Sequence, residues 1–63
     1  MKEMDQQKVE KYLAYLERNI ERLWNERSSA KSSGDQDYAY YCKLEASTYE
    51  AVKQAFLNIL NEQ

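Results

Sequence analysis

Ser32-Ser33-Gly34-Asp35 divides this chain into two runs of helical spacing, each about 28 residues long. Gly34 is the one glycine, and there is no proline. Glycine readily takes the left-handed conformation that ends a helix, and an aspartate after it caps the next. Lys31 before the bend and Asp37 after it carry the charges that the two helix dipoles favour there. The expected fold is all-α. It is a two-helix antiparallel hairpin forming one domain over 1–63, with a helix over 4–31, a turn over 32–35 and a helix over 35–61.

Going back from the bend, Val9, Leu13, Leu16, Ile20, Leu23, Arg27 and Ala30 recur in alternating steps of four and three. That is the 3.5-residue seam of helices packed at a shallow angle. Tyr12 and Trp24 sit on its shoulders. Asp5 with Lys8, Arg18 with Glu21, and Arg22 with Glu26 have the spacing of ion pairs. Ser28, Ser29, Ser32 and Ser33 are poor helix interiors, so fraying is expected after Arg27.

Going forward from the bend, the apolar residues fall in two stripes. Tyr38, Cys42, Tyr49, Val52, Phe56 and Ile59 form one, interrupted by Glu45; Tyr41, Leu44, Thr48, Ala51 and Ala55 form the other. Together they are too wide for one neighbouring helix to cover. The first stripe is assigned to the chain's own first arm and the second to another chain, with Ala51 and Ala55 allowing close approach. The polar C-terminus, Asn61-Glu62-Gln63, is expected to fray.

A 63-residue chain is short of core, and such chains use disulfides, metals or oligomerisation to compensate. One cysteine and no histidine leave oligomerisation. The expectation is a homodimer closing into a four-helix bundle. Charge is split between the arms: residues 1–31 carry seven basic and six acidic side chains, residues 35–63 two and five. That asymmetry favours antiparallel docking of unlike arms and gives no strong field for nucleic acid. No apolar run is long enough for a membrane span. Met1-Lys2-Glu3-Met4-Asp5 lacks the pattern of a secretion signal, and with one free thiol the expected location is cytoplasmic.

Four constellations bear on function. Trp24, Tyr38, Tyr40 and Tyr41 cluster near the bend, either as an aromatic plug closing the loop end or as a protein-binding hot spot, with Tyr40 pointing away from both stripes. Arg27 and Glu45 interrupt the two seams at similar heights and are expected to pair in a polar layer that sets register. Lys8, Lys11, Arg18 and Arg22 form a basic stripe with Tyr15 that could follow phosphates, although Glu17, Glu21 and Glu26 lie beside it. Cys42 reads as a small buried hydrophobe, because a nucleophile would want a base and histidine is absent. One glycine makes no phosphate loop, and the acidic residues lack calcium-loop spacing. The expectation is no enzyme activity, with no catalytic residue, cofactor, metal or small-molecule substrate.

The matched arms and central turn resemble, in architecture, the Rop-type plasmid copy-number regulators, hairpins that pair into four-helix bundles and bind paired RNA loops. The segment Gly34-Asp35-Gln36-Asp37-Tyr38-Ala39-Tyr40-Tyr41-Cys42-Lys43-Leu44-Glu45 is similar to the turn and second-helix start of small hairpin proteins from phages and mobile elements of Gram-positive bacteria. That second resemblance implies an accessory role in binding and redirecting a host protein. The expected function is a protein-binding module, a small regulator or inhibitor of a larger protein acting as a homo-oligomer. It would dock through Tyr40, Trp24 and Tyr38. The alternatives are a Rop-like RNA- or DNA-binding dimer and a structural assembly subunit.

Overall fold

The structure, a computed structural model, describes residues 5–62. Helix α1 spans Gln6–Ser32 and helix α2 spans Gln36–Asn61. They pack side by side as an antiparallel hairpin. The expected first-helix start at Met4 lies outside the described residues. Asp5 is instead the N-cap, and its side chain accepts from the Gln7 N–H at 2.8 Å.

The bend is built as the Ser-Gly-Asp pattern predicts. Gly34 has φ of 83°, in the left-handed region. The Gly34 N–H donates to the Lys31 carbonyl at 3.2 Å and the Asp35 N–H to the Ala30 carbonyl at 2.8 Å. This double closure satisfies carbonyls that a helix end leaves open. The Asp35 carboxylate then accepts from the Tyr38 N–H at 3.0 Å and caps α2. One residue thus ends one helix and starts the next.

α1 runs to Ser32 without the fraying expected after Arg27. Two features hold its last turn. Ala30 is buried against α2, and the Ser33 hydroxyl donates to the Ser29 and Ala30 carbonyls at 3.1 Å each. Weak local propensity yields to packing and capping here.

The α1 seam is the predicted one. Val9, Leu16, Leu23 and Ala30 are buried, with Leu13, Ile20 and Arg27 half-buried between them. The α2 seam differs from expectation. Ala39, Cys42 and Ala46 are buried, and Tyr49, Lys53 and Phe56 continue the line half-buried. Tyr38, Val52 and Ile59, expected to face α1, are on the surface. Volume explains the shift. Leu23 packs on Cys42 and Ala46, with Trp24 and Tyr49 against the cluster. Small residues opposite large ones let two helices approach closely, whereas tyrosine and isoleucine there would hold them apart.

Candidate docking face

The hairpin is one helix layer thick, with Cα extents of 50 × 18 × 11 Å. Each helix therefore has one covered side, and residues flanking the seam stand on one of two broad faces. The two faces differ in chemistry.

Among the described residues eight large apolar side chains are exposed, and six of them share one face: Tyr12 and Tyr15 from α1, Tyr38, Tyr41, Val52 and Ile59 from α2. The sharing follows from spacing and contact. Tyr38, Glu45, Val52 and Ile59 are seven residues apart and line one edge of α2; Tyr12, Asn19 and Glu26 do the same on α1. The two edges meet through aromatic pairs. Tyr12 meets Phe56 edge-on at 5.0 Å, and Tyr15 meets Tyr49 edge-on at 6.5 Å. Tyr12 also stacks on Tyr15 at 6.4 Å, and Tyr38 on Tyr41 at 6.0 Å.

Polar groups on this face are tied down near the bend. The Tyr38 hydroxyl donates to Glu26 across the two helices. Glu26 also takes the Arg22 guanidinium at 2.9 Å, and Arg22 reaches back to the Asn19 side chain at 3.2 Å. The Tyr38 hydroxyl and then Arg22 hold the Glu26 carboxyl below its ordinary range. Glu26, in return, pushes the Tyr38 hydroxyl well above the usual tyrosine value. Tyr41 is raised by neighbouring Glu45, and Tyr49 by Tyr15. These three phenols stay neutral, able to donate hydrogen bonds while presenting apolar rings.

The opposite face is more mixed. Lys53 bridges to Glu17 at 3.4 Å, and a shallow cleft there is lined by Glu17, Glu21 and Glu50 around half-buried Ile20, Trp24 and Leu57. The Arg27 guanidinium lies 5.2 Å over the Trp24 ring. This corrects the expected Arg27–Glu45 pair, for which there is no contact among the described residues. Arg27 turns to the Trp24 side, while Glu45 flanks the tyrosine side.

The other predicted residues divide between the two faces. Tyr41 is on the tyrosine face, and Thr48 and Ala55 follow it in seven-residue steps along the rim. Leu44 and Ala51 are farther round, on the outer side of α2; all five are exposed in the single chain. Tyr38 belongs to the tyrosine face, whereas Trp24 is on the opposite face and Tyr40 turns outward on the side away from the tyrosine face. The loop end is closed by Ala30 and Ala39, not by an aromatic plug; Tyr40, at 61% exposed, is the most open of the large apolar residues. Lys8, Lys11, Arg18 and Arg22 are all exposed on α1, but Arg22 is engaged by Glu26, and both arginines line a cleft with Glu21 and Glu26. Of the other expected pairs, neither Asp5–Lys8 nor Arg18–Glu21 forms among the described residues. Cys42 is a buried free thiol.

Tyr12, Tyr15 and Glu26 are members of the face that pattern reading did not assign to it. Their signal was present: two lines of seven-residue steps flanking the α1 seam. No helix is long and apolar enough to cross a membrane among the described residues. No protein-family model matches the chain, and neither a curated protein nor a solved structure does. The site must therefore be read from its own geometry.

Proposed function

We propose that this hairpin is a non-enzymatic protein-binding module and that the tyrosine face is its docking surface. The observation that carries this reading is one-sidedness: among the described residues, six of eight exposed large apolar side chains share a face, and the opposite face carries an ion pair and acidic side chains around a half-buried apolar strip. Contiguous apolar surface rimmed by polar groups marks an interaction site. Tyrosine suits one because its ring contributes contact area at low entropic cost while its hydroxyl finds a partner. In the biological setting the module works as a homo-oligomer and a small regulator of a larger protein. Trp24 and Tyr40 lie off the tyrosine face and outside this docking surface.

Site-specific photocross-linking tests the reading. A benzophenone amino acid is placed at Tyr15 or Tyr41 on the tyrosine face, and at Ser47 or Gln54 on the other. Protein adducts are expected predominantly from the first pair. Equal yields from both faces would contradict a dedicated docking surface.

A further inference from the structure

We propose that the occupant of the tyrosine face is the same face of a second copy, related by a two-fold axis parallel to the helices. α1 of each chain then lies over α2 of the other, and both bends are at one end of a four-helix bundle. The proposal rests on the docking-face reading and adds the partner and its orientation.

Area is the first argument. The chain exposes 5036 Å² of surface. A compact monomer of its 7.5 kDa mass would expose about 4,200 Å². The broad face, from the 50 × 18 Å extents, covers on the order of 900 Å², comparable with the ~800 Å² that each partner contributes to a stable interface.

Charge chooses the orientation. Beside the tyrosines, the α1 flank carries two bases, Lys8 and Arg22, and two carboxylates, Asp5 and Glu26. The α2 flank carries Glu45 and Glu62 and no base. An axis along the helices lays the two α1 bases over the acidic α2 flank. An axis across the helices lays α1 on α1 and α2 on α2, stacks one acidic α2 flank on the other, and separates the bends. Juxtaposed like charges suppress one arrangement while opposite charges steer the other.

Register agrees. Rotation about an axis along the helices leaves each residue at its own height. Within the chain, Tyr12 is level with Phe56, Tyr15 with Tyr49, and Glu26 with Tyr38. Arg22 falls between the last two pairs, at the height of the turn that holds Tyr41 and Glu45. In the dimer, the Arg22 of one chain meets the acidic edge of the other, and the Tyr12–Tyr15 stack covers Val52 and Ile59.

Pulsed electron–electron spin resonance distinguishes the arrangements. A nitroxide is attached at Ser32→Cys near the bend or Asn61→Cys at the open end, in a Cys42→Ala background. The same labels with Cys42 retained, buried and slow to react, guard against a misfolded background; circular dichroism confirms helix in each. Short distances are expected at both sites, well under the 50 Å length of the chain. Distances near that length at both sites would overturn the orientation. Absence of dipolar coupling in a helical protein would overturn self-docking. Cross-links from Tyr15 and Tyr41 to a larger protein alone would leave the docking face standing and remove the second copy as its occupant.

Discussion

Glu26 and Tyr38 connect the two helices near the bend, and their titrations give opposite signs. The Glu26 carboxyl has a lowered folded value. Its contribution is present above the ordinary carboxylate range and disappears as pH falls through the lowered value. Tyr38 has a raised folded value, so its contribution is present below about pH 10 and disappears as pH climbs from there towards the raised value. Tyr38→Phe removes the donor and should flatten both limbs. Urea midpoints measured in acid, at neutrality and in alkali check this; unchanged limbs in the variant would count against the link. Leu23, 1% exposed at the centre of the seam, should be the most costly truncation. Leu23→Ala is expected to lose about 2–5 kcal/mol, read as a large drop in thermal midpoint by circular dichroism. The Leu23 position was legible because alternating steps of four and three leave little freedom. The Glu26–Tyr38 link was not, since nothing in the order of residues says which phenol meets which carboxylate across a bend.

The bend joins two elements through a few atoms, so its substitutions separate conformational from capping effects. No atom lies within 4 Å of where a Gly34 Cβ would stand, so Gly34→Ala adds no clash and costs only the left-handed backbone. The expected loss is about 1 kcal/mol, smaller for Gly34→Asn, by chemical denaturation. Asp35→Ala should cost about 1 kcal/mol and weaken the start of α2, where amide exchange at Tyr38 reports it. α1 was readable almost residue by residue because its large apolar side chains occupy one stripe. α2 was not, because tyrosines, small residues and aliphatics are spread over more than half its circumference. Counting apolar side chains favoured Tyr38, Val52 and Ile59 for the seam. Close packing against Leu23 instead selects Cys42 and Ala46, with Ala39 buried on the same line. Ala46, fully buried, should accept nothing larger. Ala46→Leu is expected to destabilise by about 1–3 kcal/mol by forcing the helices apart. A neutral thermal midpoint for that variant would mean the seam is looser than drawn.

At the scale of the whole molecule, a single layer of two helices leaves most of its surface open, and the exposed apolar residues are concentrated on one side. The hairpin was legible from one glycine and two matched arms. That α2 has more apolar surface than α1 can cover was legible too, from its two stripes. Where that surplus goes was only partly legible. The stripe assigned to a second chain shares Tyr41, Thr48 and Ala55 with the face and its rim, but two of the six exposed apolar side chains of the face, Tyr12 and Tyr15, come from α1. A face built from two helices exists only after they dock, so neither arm's pattern displays it alone. That α1 brings bases to this face while α2 brings only carboxylates is likewise a property of the assembled hairpin.

The proposed second copy over this face has a direct signature in mass. Light scattering coupled to size-exclusion chromatography tests it most directly, on the unmodified chain and on Tyr15→Glu, which places a charge in the middle of the face. The wild type is expected at twice its 7.5 kDa mass, with Tyr15→Glu shifted towards a single chain while staying helical. A wild-type chain that elutes at its own mass across the accessible concentration range would contradict the account.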